Sequence, residues 1–128
     1  MPYGYTGKIL RVNLTTGKIW VDEHDEYWDR TYMGGALYGA WYLLNETEPG
    51  VDALGPDNMM VFANSPVVGA PAAGMNRLVV MARSPITGGF GEAQTGGFTA
   101  AELKFAGFDA VVVTGKAAKP VYLWIHDG

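Results

Sequence analysis

Apolar and polar positions alternate over KILRVNL and again over GKIWVD, with Thr15, Thr16 and Gly17 between the two runs. A period of two marks a strand, and a glycine in a short connection supplies the positive φ that a hairpin needs. Gly7 to Asp22 is therefore predicted to form a β-hairpin. Ile9 faces away from Lys8 and Leu10, so the hairpin is only partly amphipathic, and Trp20 can anchor either face. Asp25 to Arg30 is acidic and aromatic and carries no assigned element. In MGGALYGAWYLLNE two glycines open a helical pattern that ends near Asn45. Pro49-Gly50 and Gly55-Pro56 interrupt the chain. Asn58 to Asn64 and Arg77 to Arg83 are apolar runs of strand length, separated by the glycine- and proline-rich loop SPVVGAPAAGMN. A second such loop begins at SPITGG and is read as continuing to Thr99. Ala100 to Phe105 is predicted to be a short helix, stopped by a left-handed Gly107. Asp109 to Thr114 and Pro120 to His126 are predicted strands. The pattern describes one α+β domain over residues 1–128, with mostly antiparallel sheets and two short helices.

Composition narrows the chemistry. The 128 residues, 48% hydrophobic and 17% charged, suit a globular fold that buries roughly two thirds of its unfolded surface. A net charge of -4 with scattered lysines and arginines argues against a nucleic-acid partner, which needs a basic stripe to displace counterions. No apolar run reaches the ~18 residues of a membrane helix, and MPYGYTGKIL lacks the layout of a secretory signal, so neither a membrane partner nor export is expected and the chain reads as cytoplasmic. There is no cysteine and there are two histidines, too few thiolates or imidazoles for an iron–sulfur or zinc site within these residues. A metal here would be held by oxygen or by a cofactor.

The glycine loops are the chemical candidates. A phosphate-binding loop of the G-x-x-x-x-G-K-[ST] type fails at Gly115-Lys116, which Ala110 precedes where a glycine is needed and Ala117 follows. A dinucleotide fingerprint fails at Gly89-Phe90-Gly91, which continues as Glu92-Ala93-Gln94. Single glycines here are mostly turn and bulge residues. Gly96-Gly97 differs, because a pair just before a helix leaves N–H groups unobstructed toward an anion. Arg77 joins a small-residue loop to an apolar strand, and its guanidinium can grip a phosphate with two parallel hydrogen bonds, although it can equally snorkel over the sheet. Gln94 is either a contact of the same ligand or a plain loop residue. Glu102 and Asp109 read as solvated or capping acids, and no catalytic residue is assigned.

The segments YGYTGKILRVNLTTGKI, GPDNMMVFANSPVVGAPAAGMNRLVVMARSPITGG and TGGFTAAELKFAGFDAVVVTGKAAKPVYL resemble the N-terminal domain of the tungsten-containing aldehyde ferredoxin oxidoreductases. The resemblance covers essentially the whole chain in order. It implies a base on which a bis-molybdopterin tungsten (or molybdenum) cofactor rests, with the metal held by cofactor dithiolenes. It also implies that Arg77 lies between pterin and iron–sulfur cluster, and that Gly96 and Gly97 lie against the pterin. The backbone carbonyl of Gln94, where the family usually has asparagine, would help hold a magnesium ion bridging the two pterin phosphates. Ala36 and Leu37 stand where the family pattern continues from Gly34-Gly35 with arginine and glycine, which is compatible with a subfamily such as the benzoyl-CoA type of aromatic-ring reductase.

The function implied is support of a tungstopterin in a longer enzyme that oxidises aldehydes to carboxylic acids and passes electrons through a 4Fe-4S cluster to ferredoxin. The cluster ligands would lie outside this chain, which alone would be inactive. Its partners would be the remainder of the enzyme, ferredoxin and, in a homo-oligomer, a second copy. The competing class is a non-catalytic small subunit or scaffold that binds a partner through Tyr27 to Tyr32.

Overall fold

The computed structural model describes residues 3–127. The predicted hairpin is present as β1 (Lys8–Asn13) and β2 (Lys18–Glu23). The Asn13 side chain accepts the N–H groups of Thr15 and Thr16, each at 3.0 Å, and Gly17 takes a φ of 71° to close the turn. Next come α1 (Glu26–Tyr32) and α2 (Ala36–Glu46), then β3 (Met59–Asn64) and β4 (Leu78–Arg83). The remaining elements are β5 (Phe90–Thr95), α3 (Thr99–Phe105) and β6 (Ala110–Thr114). One six-stranded sheet runs β2-β1-β6-β3-β4-β5, with β1 and β6 parallel and the other neighbours antiparallel.

Three expectations need correction. The described residues contain three helices where two were predicted. The additional one, α1, is started by Asp25, whose carboxylate accepts the Trp28 N–H at 2.8 Å, the usual cap for an orphan first-turn donor. The loop predicted to reach Thr99 contains β5, which pairs with β4 from Leu78↔Thr95 to Arg83↔Phe90. Its sequence FGEAQT has no strand periodicity, and ladder hydrogen bonds to β4 make it a strand. The predicted strand from Pro120 to His126 is absent, because that stretch has no ladder partner and lies mostly exposed.

Strand alternation gives the sheet two apolar faces. One packs beneath α1 and α2, where Tyr38, Tyr42, Val61, Met81 and Val112 are fully buried around Ile9. Gly39 allows α2 to lie against β4, since a β-carbon there would meet the Met81 side chain at 2.5 Å. The other face packs on α3 through Val12, Leu78, Leu103, Phe108 and Val111. The pairing puts Trp20 opposite Arg11 on the α2 face, which resolves its orientation. There Arg11 grips Glu46 through Nη1 and Nη2 (3.0 and 2.6 Å) and Asp22 at 2.9 Å, joining the hairpin to the end of α2.

Candidate functional site at the β4–β5 edge

The residues singled out from the sequence come together at one end of the sheet. Arg77 immediately precedes Leu78, whose partner across the ladder is Thr95, so Arg77 lies at the level of Gly96. Gln94 pairs with Val79, and both lie on the α2 face of the sheet. The start of α2 meets the same spot, because a β-carbon on Gly35 would lie 3.7 Å from Val79 Cγ2. Asn76 closes the end by donating its Nδ2 to the Gly97 carbonyl.

Each side chain has a distinct state. Arg77 is exposed and enters no salt bridge among the described residues. The Gln94 amide donates to Glu92 Oε1 at 2.7 Å, along its own strand. Because β5 is an edge strand, alternate carbonyls along it have no ladder partner. Gly97 has a φ of 96°, which by itself favours glycine. Gly96 has ordinary φ, and the nearest atom to a β-carbon there would be Asn76 O at 3.7 Å, an unstrained contact. The fold does not demand a glycine at 96, and its bare backbone stays open to solvent.

Sequence reasoning missed both asparagines that bracket the SPVVGAPAAGMN loop. Asn64 is 1% exposed, its Nδ2 donating to Ala100 O at 2.9 Å and its carbonyl accepting Gly35 N–H at 2.9 Å. Oδ1 of both Asn64 and Asn76 is buried without a protein partner. The available signal was an asparagine at each end of an otherwise apolar loop. Asp109 is also not solvated, being 1% exposed and paired with Lys104. Glu102 is exposed, as expected.

The titratable groups with shifted pKa values lie elsewhere, beneath α1 and α2. Burial raises Asp29 above its ordinary value, opposed by the hydrogen bond from Tyr38 Oη at 2.7 Å. Burial lowers His24, against the pull of Asp22, Asp29 and Asp25. His24 stacks on Trp28 at 3.7 Å and shares a 2.9 Å hydrogen bond with the Tyr42 hydroxyl. Two apolar grooves, of about 430 and 560 Å³, flank α3 and the end of α2, and neither is lined by Arg77, Gln94, Gly96 or Gly97. Among the described residues no His, Asp and Glu cluster could hold a metal ion by side chains, and no helix is long and apolar enough to cross a membrane.

A bare-backbone edge beside an exposed guanidinium suits a flat anionic ligand. The family model described as aldehyde ferredoxin oxidoreductase, N-terminal domain, matches residues 9–128. The chain belongs to that family. The tungsten-containing aldehyde ferredoxin oxidoreductases of Pyrococcus abyssi and Pyrococcus furiosus are each 46% identical over 125 residues, covering 98% of this chain and 21% of the relative. An aliphatic sulfonate oxidoreductase, WOR-like subunit, of Pyrococcus furiosus is 35% identical over 128 residues. Among solved structures, the active site complex BamBC of benzoyl coenzyme A reductase with 1,5-dienoyl-CoA superposes with a TM-score of 0.95 at 38% identity. That match covers 99% of this chain and 19% of the other. The family domain therefore spans about a fifth of the length of the relatives that it matches.

Proposed function

We propose that these residues are the cofactor-supporting N-terminal domain of a longer tungsten oxidoreductase, and that Arg77, Gln94, Gly96 and Gly97 hold a bis-molybdopterin group carrying tungsten or molybdenum. The observation that carries the reading is Gly96. Its lack of a side chain is required neither by φ nor by packing, yet it lies level with an unpaired arginine on an open edge. Bare backbone admits close approach of a planar ring, and a guanidinium meets a pterin phosphate or ring carbonyl with paired hydrogen bonds. The Gln94 carbonyl would be one oxygen ligand of a magnesium ion between the phosphates, an arrangement that hard cation accepts. When bound, the group supplies the two-electron centre at which an aldehyde and water become a carboxylic acid. This chain contributes positioning and charge. The 4Fe-4S cluster would be ligated by the remainder of the enzyme, with ferredoxin as electron acceptor.

The 46% identical aldehyde oxidoreductases favour an aldehyde substrate over the sulfonate and benzoyl-CoA relatives, which are 35% and 38% identical. In the complete enzyme, Arg77→Ala should lower tungsten per polypeptide by about tenfold, the equivalent of one lost charge-assisted contact. Elemental analysis of the purified variant measures it, and wild-type tungsten content would remove Arg77 from the site.

A further inference from the structure

The loop between β3 and β4 carries Arg77 at its end, and a buried ion pair lies beneath its first half. Asp109 and Lys104 have side chains 2% and 11% exposed. Asp109 Oδ2 accepts the Thr6 N–H at 2.8 Å, the Thr6 hydroxyl at 3.0 Å and the Gly7 N–H at 2.8 Å. Lys104 Nζ donates to Asp109 Oδ1 and, at 2.8 Å, to the Gly4 carbonyl. The pair thus clasps the segment from Gly4 to Gly7 against the molecule.

That segment and the end of α3 form the floor of the loop. A β-carbon on Gly4 would lie 2.7 Å from the Pro66 carbonyl, so backbone packs directly on backbone. A β-carbon on Gly69 would meet the Phe105 ring at 3.1 Å and Lys104 Cγ at 3.9 Å. Asn64, at the root of the loop, donates its N–H to the Asp109 carbonyl at 2.9 Å. From Pro71 to Met75 the loop is exposed before Asn76 re-anchors it on Gly97. The clasp therefore touches the loop at Pro66 and Gly69 and reaches Arg77 and Gly97 only through it.

We propose that Lys104 and Asp109 are positioning residues for the cofactor edge. They fix the Pro66–Asn76 loop through Gly4 and Gly69, and thereby the placement of Arg77 against Gly96 and Gly97. This rests on the cofactor reading above. A residue that orients a ligand-holding group typically costs about 10- to 100-fold in metal retention when removed.

The test uses the complete enzyme with Lys104→Met, Lys104→Arg and Phe105→Ala. Phe105 is 64% exposed, so its truncation loosens the loop floor without uncovering a buried charge. Tungsten per polypeptide should fall about tenfold in Lys104→Met and measurably in Phe105→Ala, with most of it retained in Lys104→Arg. Hydrogen exchange should quicken at amides 66–77 while β3 and β6 keep their protection, a pattern that general destabilisation would not produce. If Lys104→Met does not fold, Phe105→Ala decides by the same two readouts. Wild-type tungsten and unchanged loop exchange in the folded variants, with Arg77→Ala depleted, would overturn the clasp alone. A wild-type enzyme without tungstopterin would overturn the cofactor reading and the clasp together.

Discussion

Asp29 and His24 titrate in opposite senses around one aromatic cluster. The folded state holds the Asp29 proton to a higher pH than the unfolded chain, whose value is 3.8. Between those two values the native state binds more protons, so its stability falls as pH rises through the window. Asp29→Asn should remove that slope while keeping an acceptor for Tyr38. For His24 the folded value lies below 6.5, so the unfolded chain binds more protons and stability is lost as pH falls through that window. His24→Gln should flatten the acid side. Denaturant titrations from about pH 4 to about pH 7 measure both slopes, and variants with the wild-type pH dependence would show that neither group is linked to folding. Nothing in the local sequence predicts the shifts, because Tyr38 and Tyr42 reach these groups only after α2 folds over α1.

At the scale of elements, the α2–β4 contact is the most tightly fitted. Gly39→Ala would gain about 1 kcal/mol of helix propensity. It would also bring a β-carbon to 2.8 Å from Met81 Cβ, not merely to the flexible end of that side chain. Overpacking of this kind costs about 1–3 kcal/mol, so a net loss of up to about 2 kcal/mol is expected by urea denaturation. A Gly39→Ala protein more stable than wild type by the full propensity gain of about 1 kcal/mol would refute the fit. Both elements of this contact are legible in the sequence, since α2 keeps a helical period and β4 is an unbroken apolar run. α1 was legible in principle from Asp25 three residues before Trp28. β5 was not, because FGEAQT becomes a strand only through its register with β4.

Across the whole molecule, the α3 face of the sheet is apolar from β2 to β5, yet α3 covers only part of it. The register places Ile19, Val21, Leu10, Val113, Met60 and Val80 on that face. Of these, Ile19 is 65%, Val21 43% and Met60 44% exposed. Exposed apolar side chains on one face favour association. A polypeptide of these 128 residues alone should self-associate, and Ile19→Thr with Met60→Gln should shift it toward monomer in sedimentation velocity. A monodisperse wild-type monomer at micromolar concentration would contradict this. The candidate site also belongs to this scale, since Arg77 and Gly96 are 19 positions apart and the β4–β5 register brings them level.

Period, turn chemistry and a specific set of glycine loops, all local properties, sufficed to determine the hairpin, α2, β3, β4, α3, β6 and the family resemblance. Tertiary structure alone decided that β5 is an edge strand, that Pro120 to His126 is not a strand, and that Asp109 is a buried clasp and not a solvated acid. The physical reason is common to all three. A ladder hydrogen bond or a buried ion pair depends on a partner distant in sequence, and residue type records only the capacity to form one.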